Sequence, residues 1–248
     1  MANQETQAPP ASLDVQLEAP GLVFMGIGVH WRRRLSDLSM NTVLAERWES
    51  QFQTWRISDR EVNLTDSQNR YHAVLSDGVA QFLIESVAGY DLALEHASEV
   101  LQELPDLAKT KTRIETQYLL PSADSFEEKM SYLASKLLDV GLLKSLGGEL
   151  HDFNYLSDVR IDDQWYQLNI GAVRDNEIRR RVRARHLIQL PPVATFCNIA
   201  LIGMVIKSES DFRAAISQTL DVGRRITGEL EEEHEQSLCL APDTSCQR

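Results

Sequence analysis

Five arginines, Arg179, Arg180, Arg181, Arg183 and Arg185, fall within seven positions of the stretch "NEIRRRVRARHLIQLPP" (176–192). A guanidinium stays charged at any physiological pH and offers a planar fork of donors that fits carboxylates and phosphates. Arginines at this density point to recognition of anionic groups. The alternation in "RRRVRARHLIQL" predicts a strand with Arg181, Arg183 and Arg185 on one face and Val182, Ala184, His186 and Ile188 on the other. On a half-buried strand these guanidiniums form an outward ladder with steps of about 7 Å. The preceding "RDNE" reads as a turn that makes a hairpin with "WYQLNIGAV", and Arg179 extends the strip.

Three kinds of partner fit such a ladder. A nucleic-acid backbone matches it, with Trp165 or Tyr166 stacking on bases and the second cluster Arg32, Arg33 and Arg34 adding charge. An acidic protein surface matches it as well, since arginine and aromatic residues are enriched at interfaces. The third partner is the glutamate-rich "ELEEEHE" (229–235), with Glu231, Glu232 and Glu233, reached within the molecule or on a second copy. The formal net charge of −12, from 25 basic and 37 acidic residues, ranks nucleic acid below protein. The expectation is a non-catalytic interaction protein that self-associates, as a dimer, or docks a protein partner through the arginine strand and the acidic C-terminal segment. A nucleic-acid binder is the alternative. A small-ligand-binding or enzymatic α+β domain is the third class.

Motifs for bond-making chemistry are missing from the sequence. His30, His72, His96, His151, His186 and His234 are scattered without metal-ligand spacing, and no nucleophile elbow or phosphate-binding loop is present. Gly26 and Gly28 form a G-x-G without the third glycine of a dinucleotide fingerprint, so a bulge or a close helix contact accounts for them. His151-Asp152 follows a Gly-Gly pair and reads as the start of a strand, and Asp162-Asp163-Gln164 as a hairpin turn. No cofactor or metal is expected. No apolar run is long enough to span a bilayer, the first residues lack the features of a secretory signal, and Cys197, Cys239 and Cys246 suit a reducing cytoplasm.

The elements that must position these residues follow from periodicity. "LVFMGIGVHW" (22–31) predicts a strand, and Leu44, Trp48, Phe52 and Trp55 an apolar helical stripe over 40–55. "REVNLT", "RYHAVLS" and "VAQFLIES" read as strands, the last two joined at Asp77-Gly78, and a helix follows over 89–104. The order then restarts. "TKTRIETQYLLP" reads as a strand with Ile114, Thr116 and Tyr118 on one face and Arg113, Glu115 and Gln117 on the other. A helix over 125–140 begins with the capping box Ser125…Glu128. Further strands lead to the all-apolar "VATFCNIALIGMVI", a central strand, and to a closing helix over 210–230. "SADSFEEKMSYLASKLLDVG" and "SESDFRAAISQTLDVG" share a spaced Ser, Phe and Asp-Val-Gly.

These elements predict an α+β fold of two tandem β-α-β(3-4)-α halves, with curved antiparallel sheets and helices packed on one face. The boundaries are a mobile leader 1–20, a first half 21–109, a second half 110–232 and a flexible acidic, polar tail 233–248. The element order resembles the tandem half-domains of TATA-binding-protein-like folds and, more loosely, the helix-grip folds. The likeness lies in element order and implies architecture alone.

Overall fold

A computed structural model of the chain describes residues 21–32, 37–58, 61–68, 70–85, 88–104, 110–138, 151–183 and 189–239, of which 37–38, 88 and 232–239 are described by backbone only. The elements are β1 (Leu22–His30), α1 (Asp37–Trp48), a 3-10 turn (Glu49–Gln51), β2 (Thr54–Ile57), β3 (Glu61–Asp66), β4 (Tyr71–Ser76), β5 (Val79–Ile84) and α2 (Ala88–Glu103). They continue with β6 (Lys111–Pro121), α3 (Phe126–Leu137), β7 (Asn154–Ile161), β8 (Gln164–Arg174), α4 (Asp175–Arg181), β9 (Val193–Met204) and α5 (Glu209–Cys239). The strands form one nine-stranded sheet in the order β2-β3-β4-β5-β1-β6-β9-β8-β7. Every pairing is antiparallel. The fold is α+β; the strands expected in separate sheets share a single one, and where helices on one face were expected, α4 packs on the face opposite α1, α2, α3 and α5.

Alternation along each strand sends apolar side chains to one face. Ile27, Ile114, Ile199 and Leu168 belong to the main core with Leu44 and Trp48 of α1, Ala93 and Ala97 of α2, Met130 and Leu133 of α3, and Phe212 and Ile216 of α5. The Ser125–Glu128 capping box forms as expected: Glu128 N–H donates to Ser125 Oγ at 3.2 Å, and Ser125 N–H donates to Glu128 Oε2 at 2.9 Å. Asp162 and Asp163 both sit at positive φ, 48° and 64°, in the tight β7–β8 turn. The closing helix runs to Cys239, beyond the expected 230.

Three expectations are corrected. The arginine-bearing stretch is not a strand: Asp175–Arg181 is the helix α4, and β8 pairs with β7 and β9. Asp175 and Glu177 in its first turn and arginines in its last complement the helix dipole, and Glu177 Oε2 accepts from Arg174 N–H at 3.1 Å. Ile178 and Val182, four residues apart, are the buried pair. Trp55 leaves the helical stripe because Phe52 already has extended backbone, so Trp55 lies on the edge strand β2, 41% exposed. Gly26 and Gly28 serve neither a helix contact nor a bulge. A Cβ on Gly26 would meet the Phe24 ring at 3.3 Å, and one on Gly28 would meet His30 Nε2 at 3.0 Å. The two glycines make room for rings that lie back along their own strand.

α5 crosses β6 at Gly223, where a Cβ would lie 2.1 Å from Tyr118 Oη. Gly223→Ala should therefore destabilise by about 1–3 kcal/mol through overpacking. Gly228→Ala on the same helix meets nothing within 4 Å and should stabilise by about 0.5–1 kcal/mol through helix propensity. Paired denaturant melts check the contrast, and equal effects would exclude the Gly223–Tyr118 notch as the crossing constraint.

His96 is fully buried against Trp48, with ring centroids 4.1 Å apart. Its Nε2 donates to Gln51 Oε1 at 2.6 Å and its Nδ1 accepts from the Tyr71 hydroxyl at 2.8 Å, which fixes the neutral tautomer. Burial pushes its pKa down to about 4, below the value near 6.5 of the unfolded chain. Between those values only the unfolded chain takes up the proton, so stability is lost as pH falls from about 6.5 to about 4, by about 3 kcal/mol in all. Urea melts of the wild-type chain and of His96→Gln across this window should show a shallower pH slope in the variant. Equal slopes would assign the acid sensitivity elsewhere.

Candidate recognition face

The other face of the sheet is polar, and its residues stand in register across five strands. Gly26, Glu115, Ala200, Gln167 and Asp158 form one row, and Phe24, Gln117, Asn198, Asn169 and Leu156 the next. Gly28 and Arg113 lie beside the first row, and Leu119, Phe196, Gly171 and Asn154 beyond the second. α4 covers this last row. Its Ile178, with Val182, packs on Leu119, Val173, Ala194 and Phe196 in a small core separate from the main one.

The long Arg113, Glu115 and Gln117 side chains fall on this face because successive side chains alternate along β6 from Arg113 onwards. Glu115 and Gln117 are buried, at 5% and 2% exposure, so their polar atoms need partners. Glu115 accepts from Gln117 Nε2 at 3.1 Å, and its Oε2 lies 3.5 Å from Arg113 Nε and 3.4 Å from an Arg183 guanidinium nitrogen. Gln117 Oε1 accepts the Arg183 backbone N–H at 2.9 Å. Arg113 also reaches Gln167 Oε1 at 3.3 Å, and Gln167 Nε2 donates to Asp158 at 3.4 Å. This chain of contacts runs from the residue after α4 to the edge strand β7. Burial and the Arg113 charge hold the His30 imidazole below its usual pKa, so it adds no cation at neutral pH.

The predicted arginine ladder is dispersed by the helix, where successive residues point about 100° apart. Arg179 lines a cavity, Arg180 is exposed, Arg181 donates to Asn154 Oδ1 at 3.1 Å, and Arg183 sits over Glu115 and 5.9 Å from the Phe24 ring. Arg185 lies outside the described residues, as do Arg33 and Arg34, while Arg32 is exposed beyond the end of β1. Trp165, 54% exposed, is on the open face and pairs across strands with Arg160. Glu231 is exposed on α5, on the opposite side of the sheet from α4, and nothing is described of the Glu232 and Glu233 side chains. The structure brings Trp165 and Arg183 to one face and leaves Glu231 on the other. Sequence reasoning missed Arg113, Glu115, Gln117 and Gln167, although three polar residues at alternate positions of one strand were the signal.

Among the described residues no three His, Cys, Asp or Glu side chains converge as a metal site, and burial pushes the Cys197 thiol up to about 12. No helix among the described residues is long and apolar enough to cross a membrane.

Glu115 and Gln117 clamp the chain where it leaves α4. Glu115→Ala should cost about 1–3 kcal/mol, the range for a hydrogen-bonded charge left without its partner. It should also speed tryptic cleavage after Arg179, Arg180, Arg181 or Arg183 in the native protein. Unchanged cleavage would mean that Ile178 and Val182 hold this segment alone. The sequence matches no protein-family model and no curated protein.

Proposed function

We propose that the chain is a non-catalytic interaction protein that docks a protein partner, or a second copy of itself, on the open face of its sheet. The observation that carries this reading is the polar face itself, which beyond the row under α4 carries no helix among the described residues and bears the exposed side chains of Trp165 and Leu156. Tryptophan and arginine are enriched at the energetic centre of interfaces. Arg160 stands opposite Trp165, and Arg181 of α4 bonds to Asn154, two residues along β7 from Leu156. α4 forms one border of the surface and takes the place of the ladder.

The acidic end of α5 and the arginines of α4 lie on opposite sides of the sheet. A match between them is made between molecules, which favours self-association. The chain reads further as two halves, 21–109 and 110–232, meeting where β1 pairs with β6, and as a protein of the cytoplasm with reduced thiols.

Light scattering of the full chain, alone and with its co-purified macromolecules, tests the proposal. Trp165→Asp with Leu156→Asp should abolish association while the thermal melt stays unchanged. A wild-type chain that is monomeric and partner-free, or a double variant that associates normally, would overturn the reading. Bound nucleic acid, whose affinity falls steeply with salt, would do the same in favour of phosphate recognition.

A further inference from the structure

We propose that the cavity between α4 and the β3–β5 end of the sheet binds a small amphipathic anion, a molecule with one oxyanionic group on an apolar body. The inference is independent of the docking reading, because the site is filled by a small molecule and uses neither Trp165 nor Leu156.

The cavity measures about 720 Å³, a volume typical of small-molecule sites. Ile178, Arg179, Val182 and Arg183 form one wall, and Arg70, Tyr71 and Leu83 belong to the wall opposite. The second wall comes from the first wing of the sheet, so the site exists only where the two ends of the chain's fold meet. Its composition is mixed: aliphatic side chains from both walls, with guanidiniums among them.

The uncommitted charges select the ligand's sign. Arg70, Arg179 and Arg183 line the cavity with two carboxylates, Asp66 and Glu85, both of which already have partners. Asp66 is 4% exposed and accepts the Gln68 N–H at 3.0 Å, which ties it into the β3–β4 turn. Arg183 shares its charge with Glu115. Arg70 and Arg179 have no side-chain hydrogen bond or ion pair among the described residues. Two uncommitted guanidiniums on opposite walls of a partly apolar recess form a clamp for a carboxylate, sulfonate or phosphate. Leu83, Ile178 and Val182 supply the surface for the ligand's body.

The test uses the full-length chain and 1-anilinonaphthalene-8-sulfonate, an apolar bicyclic probe with one sulfonate. Fluorescence titration should give one bound probe per chain. Arg70→Gln with Arg179→Gln should weaken binding by at least about tenfold, the factor for one lost charge-assisted hydrogen bond, and leave the probe-free melting temperature unchanged. Decanoate should displace the probe and decanol should not; decyl phosphate against decanoate then separates phosphate from carboxylate preference. Absence of binding by the wild-type chain, equal binding by the double variant, or equal displacement by decanol would overturn the proposal. Each of these outcomes can occur whether or not the chain associates through Trp165 and Leu156.

Discussion

Backbone hydrogen bonds between β1 and β6 hold two sets of strands, distant in sequence, in one sheet, with Gly26 against Glu115 and Gly28 against Arg113. This register sets the character of both faces. It aligns Ile27 with Ile114 towards the helices, and it places the charged side chains of β6 beside strand positions that carry no side chain of their own. A slip by one residue would move Arg113 and Glu115 into the apolar core and Ile114 into water. The seam therefore specifies the core and the polar face together.

The polar face is held by contacts of modest individual strength. Distances of 3.3–3.5 Å around Glu115, Arg113 and Gln167 describe charges kept near one another more than tight hydrogen bonds. The tightest contact of Gln117, to the Arg183 backbone, anchors the end of α4, and the small apolar cluster of Ile178, Val182, Leu119 and Phe196 fixes the rest of that helix. α4 thus acts as a short wall on a face that is otherwise bare among the described residues, and its position creates both the open surface towards β7 and the recess towards β5.

Much of the architecture was legible from periodicity. β1, β4, β5, β6 and β9, the Asp77-Gly78 and Asp162-Asp163 turns, and the cores of α2, α3 and α5 follow from alternation, turn chemistry and helical spacing. The arginine stretch misled because two periods overlap in it. Arg181, Arg183 and Arg185 obey a period of two, while Ile178 and Val182 obey the helical one, and burial of the aliphatic pair decided the outcome locally. Acidic residues before basic ones in a seven-residue span were the local sign of a helix. The site was harder to read. Glu115 and Gln117 look like ordinary solvent-facing strand positions, and their burial depends on Arg183 arriving from 66 residues away, a meeting that only topology can arrange. The single continuous sheet was likewise hidden, because strand pairing across the chain's midpoint leaves no local pattern.

The sheet order has a consequence for how the chain is made. Strands β2 to β5 are a meander whose short turns bring neighbours together soon after they are synthesised, and β1 can join them at β5. The far wing has no such shortcut, since β9, the last strand to emerge, must slot between β6 and β8 before either is enclosed. During that interval the outer side of β6 is a raw strand border, the sort of template on which another nascent chain can add. Pairing of β9 at that border closes the template.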